Sequence, residues 1–349
     1  MGETSPDDSR DVVLRNRHEP THRALLIDRS QSMRPRLIRR FVDTGMLLLA
    51  LVLLGGCQPA SDASPDAPAE ETDAPLTLRD SVLSPPDTTA QRFDAAMQTA
   101  LANREDIESI GALMQKVGLH FQGRPYLAGT LDQPPTETLV VRFDGFDCVT
   151  FVETALALAR SAQAADSSYA GFARRLAEQR YRAGGPVDYC GRLHYFTEWL
   201  ADNAERGLVQ RLGDELNGRP LRDTLDFMST HRSAYARFAT NDSLFACIRD
   251  MEAQVNARHR RDPVRYVPQD SIRAVYDQLR AGDIVALVSS IDGLDVAHTG
   301  LVYASEDGGR GLLHASLSEG VVVSPDLQRY VQKIDGQIGM VVARPHPAP

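Results

Sequence analysis

Cys148 stands behind Asp144-Gly145-Phe146-Asp147 and heads a run in which Val149, Phe151, Val152, Ala155, Leu156 and Leu158 are apolar. Apolar residues on nearly every side mark a buried helix, so Phe146 to Ala159 is predicted to be a core helix with the cysteine at its start. A thiolate is the reactive form of cysteine, and the positive end of a helix favours that charge. The unpaired N–H groups of the first turn can also donate to an oxyanion forming beside the sulfur. A free cysteine is otherwise most often a small buried hydrophobe. Cys148 therefore needs a base before it reads as a nucleophile.

Two histidines near the C-terminus supply one. His298 begins the stretch His298-Thr299-Gly300-Leu301-Val302-Tyr303, and His314 lies within Leu312-Leu313-His314-Ala315-Ser316. The Gly-rich segment Glu306 to Arg310 between them reads as a hairpin turn. A turn centred near Asp307 sets His314 opposite Gly300, and since side chains repeat every two residues along a strand, the two imidazoles then share a face. One ring can take the thiol proton while the other fixes its tautomer. A slip of one residue would separate them, and the sequence alone does not set the register.

These strings carry a family resemblance. Asp147-Cys148 before a buried helix, Gly282-Asp283-Ile284-Val285, His298-Thr299-Gly300 and Leu313-His314-Ala315-Ser316 resemble the NlpC-type papain-like cell-wall hydrolases. Within that group, Gly123 to Leu131 (GRPYLAGTL), Phe146 to Glu153 (FDCVTFVE) and Arg192 to Phe196 (RLHYF) resemble the N-acetylmuramoyl-L-alanine amidase-like branch. The resemblance runs from about residue 105 to 344. It implies an α+β fold: a papain-like core whose Cys-bearing helix packs on an antiparallel sheet, with a helical insertion. It also implies cleavage of the amide between the lactyl group of N-acetylmuramic acid and L-Ala, through an acyl-enzyme, in small 1,6-anhydro-muropeptides.

Carried over by position, Cys148 is the nucleophile, His298 the general base and acid, and His314 the orienting residue. Tyr126 matches a tyrosine whose hydroxyl points at the sulfur and helps bind the oxyanion; otherwise it is a half-buried aromatic after a proline turn. Arg192 and His194 read as part of a helical segment, either binding a muropeptide carboxylate or sugar hydroxyl or forming a buried structural pair. Thr299 stands where the wider group usually has Val, and Gly191 where Ser is expected, and neither departure is expected to touch the triad. A γ-D-glutamyl endopeptidase would use the same triad, but the strings around Tyr126 and His194 favour the amidase. A non-catalytic muropeptide-binding lipoprotein would have the scaffold without needing the triad.

The elements that must hold these groups follow from periodicity. Asp94 to about His120 is helical in pattern, with Ile107, Ile110, Leu113, Met114 and Val117 on one side. Gly123-Arg124-Pro125 ends it, and Leu139-Val140-Val141 is a short strand candidate. Residues 168 to 262 read as mostly helix, including Phe172 to Arg182, Leu193 to Ala204 and Leu244 to Ala257, the last with a start signal at Asn241-Asp242-Ser243. From Asp283 the period becomes extended: Ile284–Val288, Thr299–Tyr303, Leu312–Ala315, Val321–Val323 and Ile338–Val342 read as strands of a meander. Glu153 in the Cys148 helix needs a cationic partner, because a buried lone carboxylate is costly. Cys190 and Cys247 either pair or pack as hydrophobes. His194, His231 and His259 lack metal-like spacing, so neither a metal nor a cofactor is expected.

The first 57 residues read as an address. Met46 to Leu54 (MLLLALVLL) has the length of a signal-peptide core and is too short to span a bilayer. Arg34, Arg36, Arg39 and Arg40 precede it, Leu54-Gly55-Gly56-Cys57 resembles a lipoprotein lipobox with Cys57 as the lipidated residue, and Met33 is an alternative start of translation. Gln58, by resemblance to Gram-negative lipoproteins, directs the chain to the outer membrane, facing the periplasm. Residues 58–88 are rich in Pro, Ala, Ser, Asp and Glu and read as a disordered tether, followed by one folded domain over 89–345. A net charge of -9 excludes a nucleic-acid backbone as partner, since no basic stripe is present to neutralise phosphates.

Overall fold

The computed structural model describes residues 78–104 and 109–347; the leader, the Met46–Leu54 run and Cys57 lie outside them. Part of the segment read as a tether is inside. Leu78 is buried, and Val82 and Leu83 pack on the main core. These are the bulky apolar residues among positions 78–88, so α1 (Asp80–Leu83) and the start of α2 (Asp87–Asn103) close onto the domain.

The stretch read as a single helix from Asp94 to His120 is two. α3 (Ile110–His120) starts afresh at Ser109, whose Oγ accepts the Ala112 N–H. Leu139-Val140-Val141 joins no ladder; the Val140 carbonyl instead accepts from Arg180 at 2.7 Å while Leu139 is buried. α4 (Cys148–Gln163), α5 (Tyr169–Arg180) and α6 (Phe196–Glu205) complete a helical layer. The region read as helix to residue 262 also contains β1 (Val209–Arg211), β2 (Arg219–Pro220) and α7 (Phe227–Thr230). α8 (Asp242–Arg261) follows, and its N-cap is Asn241, as the start signal predicts.

β3 (Arg265–Pro268), β4 (Ile284–Ser289), β5 (Val296–Ala304), β6 (Arg310–Ser316), β7 (Gly320–Ser324), α9 (Leu327–Lys333) and β8 (Gln337–Pro345) close the chain. The sheet runs β2-β3-β8-β4-β5-β6-β7, with β1 also against β8. β4 to β7 form the expected meander, but β8 returns between β3 and β4 instead of extending the edge. All the strand pairs are antiparallel. Every residue of β4 is buried, which is why its sequence lacks the polar alternation of a one-sided strand.

Two apolar clusters sandwich this sheet. Ile284, Ala286, Leu301, Leu313 and Val341 face α2 to α5. Val285, Leu287, Val302, Leu312 and Val342 face α9 and the 3₁₀ segment Gln269–Gln278. A third cluster, with Tyr189, Tyr195, Met228, Phe238, Ile248 and Met251, is a separate core around α7 and α8. Cys190 and Cys247 form a disulfide that ties the loop before α6 to α8.

Candidate active site

Asp147 is the N-cap of α4. Its carboxylate accepts the Thr150 N–H at 2.7 Å, and its own N–H donates to Thr150 Oγ1 at 3.0 Å, a reciprocal capping box. This starts the helix at Cys148, and thirteen buried α4 residues from Thr150 to Ala162 fix its axis in the core. Glu153 finds its cation: Arg180 meets it at 2.7 Å with both side chains almost fully buried, and Trp199 Nε1 donates to its other oxygen at 3.2 Å. Tyr126 is held over the helix start by two main-chain bonds, Leu127 N–H to the Phe146 carbonyl and Phe146 N–H to that of Pro125. Gly145 permits this approach, since a Cβ there would come within 2.6 Å of the Pro125 carbonyl.

Cys148 is a free thiol of intermediate exposure. Burial pushes it up and the Asp147 charge adds to that, while the main chain and hydroxyl of Thr299 pull it down. The net direction is upward, so the helix terminus alone does not yield a resting thiolate. Thr299 thus touches the site after all: it is buried, its Oγ makes no full hydrogen bond among the described residues, and it acts on the sulfur. The Tyr126 phenol is pushed up by burial and then by Cys148.

The histidines meet as the hairpin register predicts. β5 and β6 pair Leu301 with Leu313, which sets His314 beside Gly300. His298 Nε2 and His314 Nδ1 lie 2.8 Å apart. His314 Nε2 bonds Ser324 Oγ at 3.1 Å, and His298 Nδ1 takes no hydrogen bond among the described residues. Both rings fall in phase with Val302 and Leu312, toward α9, and Tyr330 of that helix packs at 4.7 Å from His314 and 6.1 Å from His298. Thr299, one residue along, faces the α4 layer with Leu301. Tyr330 also feels Cys148: its phenol is pushed up to about 12 by burial first and then by the thiol. Thr299, next in the chain to His298, is therefore the residue that joins the surroundings of the cysteine to the histidine pair. Burial lowers His298 to about 4, and burial with the neighbouring ring lowers His314 to about 3.

A cavity of about 320 Å³ opens on Cys148 and is lined by Tyr126, Tyr189, Arg192, His194 and Tyr235 among others; the histidine pair is not in its wall. Arg192 and His194 lie in an irregular loop before α6, not in a helix, because Arg192 pairs by its backbone with Tyr181. The Arg192 guanidinium is committed to the protein: it meets Asp132 at 2.5 Å, the Leu131 carbonyl at 3.0 Å and Glu137 at 3.5 Å. His194 bonds the Tyr189 carbonyl at 2.8 Å, and burial lowers it to about 3, so it faces the cavity uncharged. Tyr189 sits between Arg192 and Arg237, each 4.8 Å from its ring centre. Sequence reasoning missed Tyr189, Ser324 and Tyr330. Tyr189 precedes the RLHYF string by three residues, but nothing local marks a serine at a strand end or a tyrosine on a short helix.

The family model described as AmiA-like, N-acetylmuramoyl-L-alanine amidase-like, matches residues 116–340. An N-acetylmuramoyl-L-alanine amidase from Bacteroides uniformis ATCC 8492 superimposes with a TM-score of 0.61 at 28% identity, covering 72% of this chain and 99% of that one. A putative xylanase from Bacteroides fragilis gives 0.60 at 33% identity, over 65% of this chain and 98% of the other. A Legionella pneumophila protein at 18% identity, with a TM-score of 0.54, shares the fold. No curated protein matches.

Proposed function

The chain belongs to the AmiA-like, N-acetylmuramoyl-L-alanine amidase-like family, and from that membership we propose that it is a cysteine amidase of papain-like, NlpC-type mechanism. Its substrate is the amide joining the lactyl group of N-acetylmuramic acid, in the 1,6-anhydro form, to L-Ala. The observation that carries this reading is the 2.8 Å bond between His298 Nε2 and His314 Nδ1. It engages one nitrogen of His298 and leaves Nδ1 to take a proton.

In this mechanism the raised thiol and lowered imidazole make the resting pair neutral, so proton transfer accompanies attack. The Cys148 proton passes to His298 Nδ1 as Sγ bonds the lactyl carbonyl carbon. The oxyanion is held by the first-turn N–H groups of α4 and the Tyr126 hydroxyl. His298 then protonates the leaving amine, the C–N bond breaks and L-Ala with its peptide departs. A water that gives its proton to His298 attacks the thioester, releasing the lactyl carboxylate and the thiol. His314 stabilises the imidazolium throughout, since its Nδ1 accepts the Nε2 proton. Tyr189, His194 and the Arg192-braced wall receive the peptide and sugar.

The test is product identity. The protein incubated with 1,6-anhydro-N-acetylmuramyl-L-Ala-γ-D-Glu-diaminopimelate should release the intact tripeptide by mass spectrometry. Release of diaminopimelate alone would make it a γ-D-glutamyl endopeptidase, and binding without cleavage would make it a muropeptide-binding lipoprotein. We also infer that residues 1–57 direct the protein to the cell envelope as a lipoprotein facing the periplasm from the outer membrane, anchored at Cys57. Palmitate labelling that persists in Cys57→Ala would overturn this.

A further inference from the structure

We propose that Ser324 is a positioning residue of this site, whose Oγ, by accepting a hydrogen bond from His314 Nε2, sets which nitrogen of each imidazole carries a proton. The inference rests on the reading of Cys148, His298 and His314 as the catalytic set and adds a fourth member to it.

A neutral imidazole has one donor and one acceptor nitrogen. Both nitrogens of the buried His314 are engaged, Nδ1 with His298 and Nε2 with Ser324 Oγ at 3.1 Å. Two proton arrangements satisfy this chain. In one, each ring carries its proton on Nε2, donation runs from His298 to His314 to Ser324, and His298 Nδ1 keeps its lone pair for the thiol proton. In the other, the serine donates, each ring carries its proton on Nδ1, and His298 has nothing with which to accept. Only the first can act as a base. Only the first also suits the imidazolium, whose Nε2–H must find an acceptor on His314.

The fold holds the serine in place for this. His314 pairs with Val322 across β6 and β7, so Ser324, two residues on, is its diagonal neighbour on the same face. The main chain there is fixed against Gly311, where an added Cβ would lie 2.5 Å from the Ser324 carbonyl. Tyr330 of α9 packs on both rings. Among the described residues no carboxylate acts on either ring, so the Ser324 hydroxyl ends the chain.

The test compares the whole chain with Ser324→Ala, Ser324→Thr and Cys148→Ala. Three readouts are used: turnover of the anhydro-muropeptide, the pH midpoint of the acid limb of kcat/KM, and Tm. Losing one neutral hydrogen bond that favours the productive form should lower kcat about three- to tenfold in Ser324→Ala. The same loss weakens the imidazolium, so the midpoint of the acid limb should fall by roughly half a pH unit. Ser324→Thr keeps the hydroxyl and should restore both. Unchanged kcat and midpoint in Ser324→Ala overturn the proposal. So does equal loss in both serine variants that follows Tm, which would make Ser324 merely structural. Full turnover by Cys148→Ala would instead sink the nucleophile reading itself, whatever Ser324 does.

Discussion

Replacing His314 by alanine separates orientation from binding. The side chain is 1% exposed, and its Nδ1 lies 2.8 Å from His298 Nε2. When His298 becomes an imidazolium that bond is charge-assisted, and such bonds contribute about 1.5–3 kcal/mol. At 1.36 kcal/mol per tenfold this corresponds to a fall in kcat of roughly 10- to 150-fold. The loss should reach the upper end, because the cavity left by the ring gives the Nε2 proton no acceptor and frees the wrong tautomer. KM should barely move, since the histidine pair is absent from the wall of the cavity that opens on Cys148. Initial rates against muropeptide concentration, for wild type, His314→Ala and His314→Gln, measure both constants. Gln, which keeps an acceptor, should recover part of the loss. A kcat within threefold of wild type, or a loss confined to KM, would refute the relay.

Four further outcomes are expected. Cys190→Ser opens a loop of 57 residues closed by the disulfide, whose entropy amounts to about 4 kcal/mol in the chain-closure model. Tm should fall and KM rise, because Tyr189 and Arg192 flank that bridge; an unchanged KM would detach this part of the chain from substrate binding. The acid limb of kcat/KM should lie near pH 4, not near the usual imidazole value of 6.5, because burial holds His298 at about 4 in the free enzyme. Stability follows the same sign: His194, His298 and His314 stay neutral when folded, so their contribution is full above about pH 6.5 and is lost as pH falls toward 3–4, where the unfolded chain has already taken its protons. A flat urea-midpoint profile between pH 7 and 4 would contradict this. A chain starting at residue 89 should melt below one starting at 78, since it loses Leu78, Val82 and Leu83; burying one such side chain contributes roughly 1.5–3 kcal/mol.

The parts of the site written into local pattern were readable in the sequence. Cys148 at the start of an all-apolar run told of a buried helix, and the hairpin period brought His298 and His314 together once the turn was centred. Glu153 in that run called for an arginine, and Arg180 supplies it. What escaped were contacts made across long separations. Ser324 reaches His314 from the next strand, Tyr330 from a short helix, and β8 enters the sheet beside β4 after all the meander strands. Leu139 to Val141 had strand composition, but a buried arginine took the carbonyl that a ladder would have used. Arg192 and His194 looked helical by spacing, and the pairing of Arg192 with Tyr181 overrode it. The first turn of α4 suggested a lowered thiol; desolvation and Asp147 outweigh it, which no one-dimensional pattern carries.

The central claim is that Cys148 is the nucleophile of an amidase. The most direct measurement sets wild type and Cys148→Ala side by side on the anhydro-muropeptide, with both shown to be folded by circular dichroism, and follows the tripeptide by mass spectrometry. Wild type should release the tripeptide steadily, and the variant none above background. Release by Cys148→Ala at a rate near that of wild type would contradict the claim.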